Sequence, residues 1–341
     1  MSSLVIQTSF LGDVVLTTPL LAELATRGPV DIVVTPSAAP LLANHPSVRD
    51  VILFDKRGEH AGLGGLWSFA RSLRARASGE PRSATTAYLA QGSWRSAALA
   101  QLAGIRERVG FDTSSGRPLY TRRVRYRADR HHAERLWRLA AGNTAGEPAA
   151  DTIRPRLYPG DAERAAVDSL LKDVPRDGAT YLALAPGSVW GTKRWPHFPA
   201  LAARLAPLHR LVIVGSRDDA PLAAEIGRAA GIERIVDATG RLSLLASAEL
   251  LRRCAGLVTN DSAPQHLASA VGTPTLTIFG PTVSAFGFGP LAPKHATVGL
   301  EGLACRPCHP HGPAACPLGH WRCMRELGVD QVEEALRGAL R

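Results

Sequence analysis

The strongest constraint on this chain is an alternation that runs through it twice. Short apolar runs alternate with stretches of helical length and helical apolar spacing. In the first half the runs are Leu4–Gln7, Asp31–Val34, Val51–Phe54, Thr86–Ala90 and Arg108–Phe111. Between them lie Val14–Ala25, Pro36–Ala43, Leu63–Ala77 and Ser93–Ala103. In the second half the runs are Tyr181–Ala185, Leu211–Gly215, Arg234–Val236, Gly256–Thr259 and Thr275–Phe279. Their helices are Phe198–Leu205, Ala220–Ala230, Ser243–Cys254 and Pro264–Val271, and Val329–Leu340 reads as a terminal helix.

A βαβα rhythm predicts a parallel sheet covered by helices on both faces. With 341 residues the chain exceeds what one core usually serves. A Pro-, Gly- and Ala-rich interval near 140–160 separates the two series. The expectation is therefore α/β with two Rossmann-like doubly wound domains, 1–160 and 161–341, facing a central cleft. Ligands of open α/β sheets bind at the carboxyl ends of the strands. The polar motifs of this chain all follow predicted strands, on that edge.

Composition narrows the class. No run approaches 18 apolar residues, and no basic segment opens the chain ahead of an apolar core. The expected setting is the cytoplasm. Net charge is +10, carried mostly by arginine, since lysine stands only at Lys56, Lys172, Lys193 and Lys294. A basic face suits nucleic acid, an anionic membrane or a phosphorylated substrate, or is simply solvated. No nucleic-acid-binding motif accompanies the charge, so nucleic acid is not expected as a partner.

Gly12-Asp13 follows the first strand, where a dinucleotide fold would show G-x-G-x-x-G. That fingerprint is missing, which disfavours hydride transfer. Asp13 reads locally either as the N-cap of the helix that follows or as a base aimed at the cleft. Ala185-Pro186-Gly187-Ser188 runs on to Thr192-Lys193-Arg194-Trp195-Pro196, combining glycine, hydroxyls and adjacent cations as an anion-binding loop requires. The alternative is a basic surface loop anchored by Trp195. Thr259-Asn260-Asp261-Ser262-Ala263-Pro264-Gln265-His266 joins a buried strand to a helix whose free N–H groups suit phosphate. Its alternative is an Asp/Ser cap followed by a core histidine. G-x-S-x-G, H-E-x-x-H and D-x-D are absent, so neither a hydrolase elbow nor a catalytic metal is implied.

Together SFLGDVVLTTPLL, APGSVWGTKRWP, TNDSAPQHLASAVGTPTLTIFGPT and the CxxC…CPLGHWRCM segment resemble glycosyltransferase family 9, the ADP-heptose:lipopolysaccharide heptosyltransferases, over nearly the whole chain. The resemblance implies a GT-B fold, with an acceptor-binding N-terminal domain and a nucleotide-sugar-binding C-terminal domain. It implies metal-independent, inverting transfer of heptose from ADP-L-glycero-beta-D-manno-heptose to the heptose/Kdo inner core, as the second heptose. Asp13 matches the family's base. Ser188 and Lys193 match phosphate contacts, and Asp261 matches the acid that engages the donor sugar. Ser262 and Ala263 match positions whose amides meet the diphosphate, with His266 supporting them. Leu242 matches a residue packing on adenine, and Asp218 or Asp219 one that reaches the ribose. Gln7-Thr8-Ser9 departs from an arginine that many members carry before the GD pair, and Ala263 replaces a frequent glycine.

The implied acceptor, Kdo-lipid A or heptosyl-Kdo-lipid A, gives the basic surface a purpose and places the protein in peripheral contact with the inner membrane. A family 9 enzyme using another nucleotide-sugar, or a non-catalytic anionic-glycan-binding protein, are the alternatives. Cys305, Cys308, Cys316 and Cys323 have the spacing of a structural zinc knuckle, with His309, His311 and His320 as rival ligands. Reduced thiols or a disulfide are the competing readings. No cofactor is expected for catalysis.

Overall fold

The structure, a computed structural model, describes residues 2–76, 85–175 and 177–341. The chain divides into two compact units, 1–156 and 157–341.

The first unit holds strands β1 (Ser2–Ile6), β2 (Val30–Val34), β3 (Asp50–Leu53), β4 (Thr85–Leu89), β5 (Glu107–Phe111) and β6 (Arg122–Val124). They pair in parallel in the order β3-β2-β1-β4-β5-β6. Its helices are α1 (Leu11–Ala25), α2 (Gly62–Arg76), α3 (Trp94–Leu102) and α4 (His132–Ala141). A 3-10 turn at Ala39–Leu42 takes the place of the helix expected over 36–43. The helix expected over 63–77 is α2, and Ala77 lies outside the described residues.

The second unit opens with α5 (Asp161–Leu171) and holds β7 (Tyr181–Ala185), β8 (Arg210–Ile213), β9 (Ile235–Asp237), β10 (Gly256–Asn260), β11 (Thr275–Ile278) and β12 (His295–Val298). Its remaining helices are α6 (Phe198–Leu205), α7 (Ala220–Ala230), α8 (Leu244–Arg252), α9 (Ala263–Val271), α10 (Arg322–Arg325) and α11 (Val329–Leu340). The order β12-β11-β10-β7-β8-β9 is again wholly parallel. Counted within its own unit, each sheet runs 3-2-1-4-5-6, the doubly wound order. Each therefore has a switch point, between β1 and β4 and between β7 and β10.

The central strands β1 and β10 are buried along their whole length, as strands covered on both faces must be. Helix starts follow capping chemistry. Ser93 Oγ accepts from the Ser96 amide at α3, and Ser243 Oγ from the Ala246 amide at α8. Pro264 sits in the first turn of α9, where its missing N–H costs nothing, and Gly272 closes that helix in the left-handed conformation at φ 80°. Helix α11 buries Val332, Leu336 and Ala339 in the core that includes Leu276 and Ile278. Helix α4 lies alongside α1 in the same direction. Its Trp137 indole donates to Glu23 Oε2 at 3.1 Å, and Arg27 donates to the Ala140 carbonyl at 3.0 Å.

Candidate active site

The switch point of the first sheet carries Asp13. Phe10 is the N-cap of α1, so Asp13 is not the cap considered for it but a residue of the first helical turn. A carboxylate there is favoured by the helix N-terminus. Ser9 Oγ donates to Asp13 Oδ2 at 2.6 Å. The ring of His132, first residue of α4, comes within 3.9 Å of Oδ1, beyond hydrogen-bonding range. Burial, aided by the positive Arg135, pushes His132 down to about 3. The ring is therefore held toward its neutral form. Thr8 donates to Gln91 across the switch point, and the Gln91 amide donates to the Ile6 carbonyl at 3.2 Å. Gln7, the residue after β1, is buried and donates to Thr17 Oγ1 at 3.1 Å.

The switch point of the second sheet is more heavily built. Asn260, at the end of β10, donates to the Pro186 carbonyl beyond β7 at 2.7 Å and accepts from the Trp195 amide at 3.2 Å. This stitches the loop 186–195 to β10. The next residue, Asp261, meets Lys193 Nζ at 2.6 Å through Oδ2. The same oxygen accepts from Thr282 Oγ1 at 2.7 Å, and Oδ1 accepts from Gln265 Nε2 at 3.0 Å. Gln265 is held in turn by Thr277, whose hydroxyl donates to its Oε1 at 3.1 Å. Both members of the Lys193–Asp261 pair are buried.

The other expected residues fall around this pair. Ser188 is buried and its Oγ accepts from the Trp190 amide at 3.2 Å. Ser262 is the N-cap of α9, but its hydroxyl turns back toward the Asn260 carbonyl at 3.3 Å and caps no amide. Ala263 begins α9, and His266 is buried on the same helix. Leu242 is half-buried in the turn before α8. That turn adjoins the loop after β8, where the Gly240 amide donates to the Gly215 carbonyl at 3.0 Å. Of the two aspartates read toward the ribose, Asp219 is occupied. Its Oδ2 accepts from the Ser216 amide and hydroxyl, each at 2.8 Å, whereas Asp218 is exposed.

The four cysteines expected as a zinc quartet fall in the segment that follows β12. All four thiols are free, and among the described residues no group of three or more His, Cys, Asp or Glu is arranged to hold a metal. The four thiols nonetheless lie near enough to act on one another's ionisation. Cys305 Sγ faces His320 Nε2 at 3.9 Å, and Cys308 Sγ faces the Pro281 carbonyl at 3.9 Å. Burial pushes the Cys316 thiol up, but the amides of Trp321, Leu318, His320 and Gly319 outweigh it and hold the thiol below its ordinary value. Burial and the neighbouring thiols push Cys323 up to about 11.

What the segment does is grip the site. Arg306 donates to the carbonyls of Gly280 and Leu300 at 2.8 Å, of Phe279 at 3.1 Å and of Thr282 at 3.4 Å. A Cβ on Gly299 would run into the Phe279 carbonyl oxygen and crowd Arg306 Nη2, so the close approach here suits glycine. Further along, the Thr192 hydroxyl donates to the Pro313 carbonyl, and a Cβ on Gly191 would lie 2.6 Å from the Ala314 carbonyl oxygen. The segment thus closes on both the 279–282 turn that supplies Thr282 and the 191–193 turn that supplies Lys193.

Residues 66–318 match the family described as Glycosyltransferase family 9 (heptosyltransferase). The chain belongs to that family. The family 9 chain is 31% identical over 323 residues to lipopolysaccharide heptosyltransferase 1 of Pseudomonas aeruginosa, covering 90% of this chain and 86% of the relative. It is 28% identical over 302 residues to lipooligosaccharide heptosyltransferase 2 of Haemophilus influenzae, covering 83% and 84%. The solved E. coli ADP-heptose lps heptosyltransferase II superimposes with a TM-score of 0.79 at 24% identity, over 100% of this chain and 98% of that one. The protein is accordingly a glycosyltransferase whose two doubly wound sheets are those of the GT-B class.

Sequence reading missed Ser9, His132, Gln265, Thr282 and Arg306. Gln265 and Thr282 lay inside quoted motifs, four and twenty-one residues from Asp261, but nothing local tied them to it. Arg306 was hidden by the cysteines on either side.

Proposed function

We propose that this family 9 transferase moves heptose from ADP-L-glycero-beta-D-manno-heptose onto the lipopolysaccharide inner core, adding the second heptose. The names of its relatives support the donor and acceptor class. The observation that carries the reading is the buried Lys193–Asp261 pair at the switch point of the second sheet, directly before the N-terminus of α9. That geometry suits a diphosphate on the helix N-terminus, with a cation beside it.

In this mechanism the second unit holds the donor. Lys193 and the amides at Ser262 and Ala263 take the diphosphate, Ser188 adds a hydroxyl, and Asp261 accepts from sugar hydroxyls. Leu242 packs on adenine. The first unit holds the acceptor, with Asp13 as base. The acceptor hydroxyl oxygen attacks C1 of heptose from the face opposite the phosphate. The C1–O bond to the diphosphate breaks and its electron pair leaves with ADP. Asp13 takes the hydroxyl proton, and the Ser9 hydroxyl aims its carboxylate. Lys193 stabilises the negative charge gathering on the leaving diphosphate. No step passes through a metal.

The acceptor is lipid-linked, so the enzyme must meet it at a membrane surface. No helix of the described residues is long and apolar enough to cross a membrane. Peripheral contact with the cytoplasmic face is the reading that fits both. A screen of ADP-heptose and other nucleotide-sugars against Kdo-lipid A bearing no heptose or one heptose tests the proposal. Transfer from ADP-heptose to the monoheptosylated acceptor alone supports it. Transfer to unheptosylated Kdo-lipid A makes it the first-heptose enzyme, and transfer only from another donor overturns the heptose reading.

A further inference from the structure

Most large apolar side chains of the first unit are in its core, but a small group is not. Leu63 is 86% exposed, Trp67 57% and Trp94 53%. Leu63 and Trp67 belong to α2, and Trp94 opens α3. The starts of these two helices line a cavity of about 400 Å³ together with Leu66, Arg95 and Ala98. Isolated exposed leucines are ordinary; an apolar groove lined by Trp94, with exposed Trp67 one turn along α2 from Leu63, is a contact surface.

Its electrostatics select the partner. Segment 56–76 carries five Lys or Arg and one acid, Glu59, and α3 carries Arg95 and no acid. Arg71 lies 5.7 Å above the Trp67 ring, which places a cation beside that exposed aromatic. Arg95 is fixed at the groove by bonds to the His60 carbonyl at 2.9 Å and the Gly62 carbonyl at 3.2 Å. Tryptophan and leucine flanked by arginine, with almost no acid, is the composition of a surface that enters the headgroup layer of an anionic bilayer. Arg76 is paired with Asp50, but the segment still carries net positive charge, which anionic headgroups neutralise.

We propose that the Leu63–Trp67–Trp94 groove is the surface by which the enzyme docks on an anionic lipid bilayer, the aromatic rings entering the interface and the arginines meeting phosphate headgroups. The inference rests on the lipid-linked acceptor read above, but its test needs no sugar. Sedimentation with phosphatidylethanolamine/phosphatidylglycerol vesicles is compared for the native chain and for Leu63→Asp/Trp67→Asp, both positions being too exposed to disturb the core. The native chain should bind these vesicles at least about tenfold better than phosphatidylcholine vesicles, and the double variant should lose about tenfold. Transfer to an acceptor embedded in vesicles should fall with the same variant, while transfer to a delipidated acceptor in solution should persist.

Equal vesicle binding by the two proteins overturns the proposal. So does loss of transfer to the soluble acceptor in a folded variant, which would make the groove part of the sugar site. Loss of self-association in the variant, with vesicle binding unchanged, would assign the groove to a second copy instead. A chain that binds vesicles as described but transfers no heptose would refute the activity reading and leave the docking surface standing.

Discussion

Lys193 Nζ and Asp261 Oδ2 lie 2.6 Å apart with both side chains about 10% exposed or less. They come from loops 68 residues apart, after β7 and after β10. The pair joins the two sides of the switch point, where the proposed donor would meet a cation and a carboxylate.

Removing one partner leaves the other charge buried. Lys193→Ala should lower stability by about 3 kcal/mol, near the low end for a broken buried pair, because Gln265 and Thr282 still serve Asp261. Adding Asp261→Asn should restore most of that loss and should not restore ADP binding. Urea denaturation and calorimetric titration with ADP read the two effects separately. Unchanged ADP affinity in Lys193→Ala would remove the phosphate role.

Arg306 acts on Asp261 at second hand, by fixing the turn that carries Thr282. Arg306→Met should weaken ADP binding and cost about 2 kcal/mol of stability, the scale of hydrogen bonds to a charged group. Thr282→Val should weaken binding too. In a double-mutant cycle the two effects on ADP affinity should be less than additive, because they act through one carboxylate. Full additivity would separate Arg306 from the site.

How much of this was legible beforehand depends on range. The central strands and most helices were visible because their signals are local: an apolar run, a helical period, a cap. The edge strands β6 and β12 were not. The sequence of β6 is Arg-Arg-Val, with no apolar run to see, and β12 is half exposed. Helix α4 was passed over although it buries most of its residues, because its charged side chains disguise the apolar stripe. Glu134 pairs with Arg138 at 2.8 Å, and Arg135 bonds the carbonyls of Arg127 and Ala128. Those arginines, counted as surface charge from composition, are structural. The candidate residues near Asp261 were named from motif order, but their mutual contacts depend on strand order, which no local pattern carries. The cysteine spacing has the same limit: spacing along the chain does not say where four sulfurs point.

Acid should destabilise the protein through its buried histidines. Burial lowers His45 to about 4, and burial with Arg135 lowers His132 to about 3, from an ordinary 6.5. The folded state then binds fewer protons than the unfolded chain below pH 6.5, so stability is full above that pH and falls as the pH drops. The slope contributed by each histidine approaches about 1.4 kcal/mol per pH unit, down to about pH 4 for His45 and pH 3 for His132. His132→Gln should remove one proton's share of the slope in denaturation experiments between pH 6 and pH 4.5. An unchanged slope would mean that His132 is not held neutral.

The most direct test of the account is the turnover of Asp13→Ala with ADP-heptose and a heptosyl-Kdo-lipid A acceptor, measured beside its affinity for ADP. Asp13 and the donor residues are assigned to different units, so the two readouts should separate. Transfer should fall at least about 100-fold, the usual scale for a lost general base, while ADP affinity stays at the native value. Turnover close to native would contradict the assignment of Asp13 as the base.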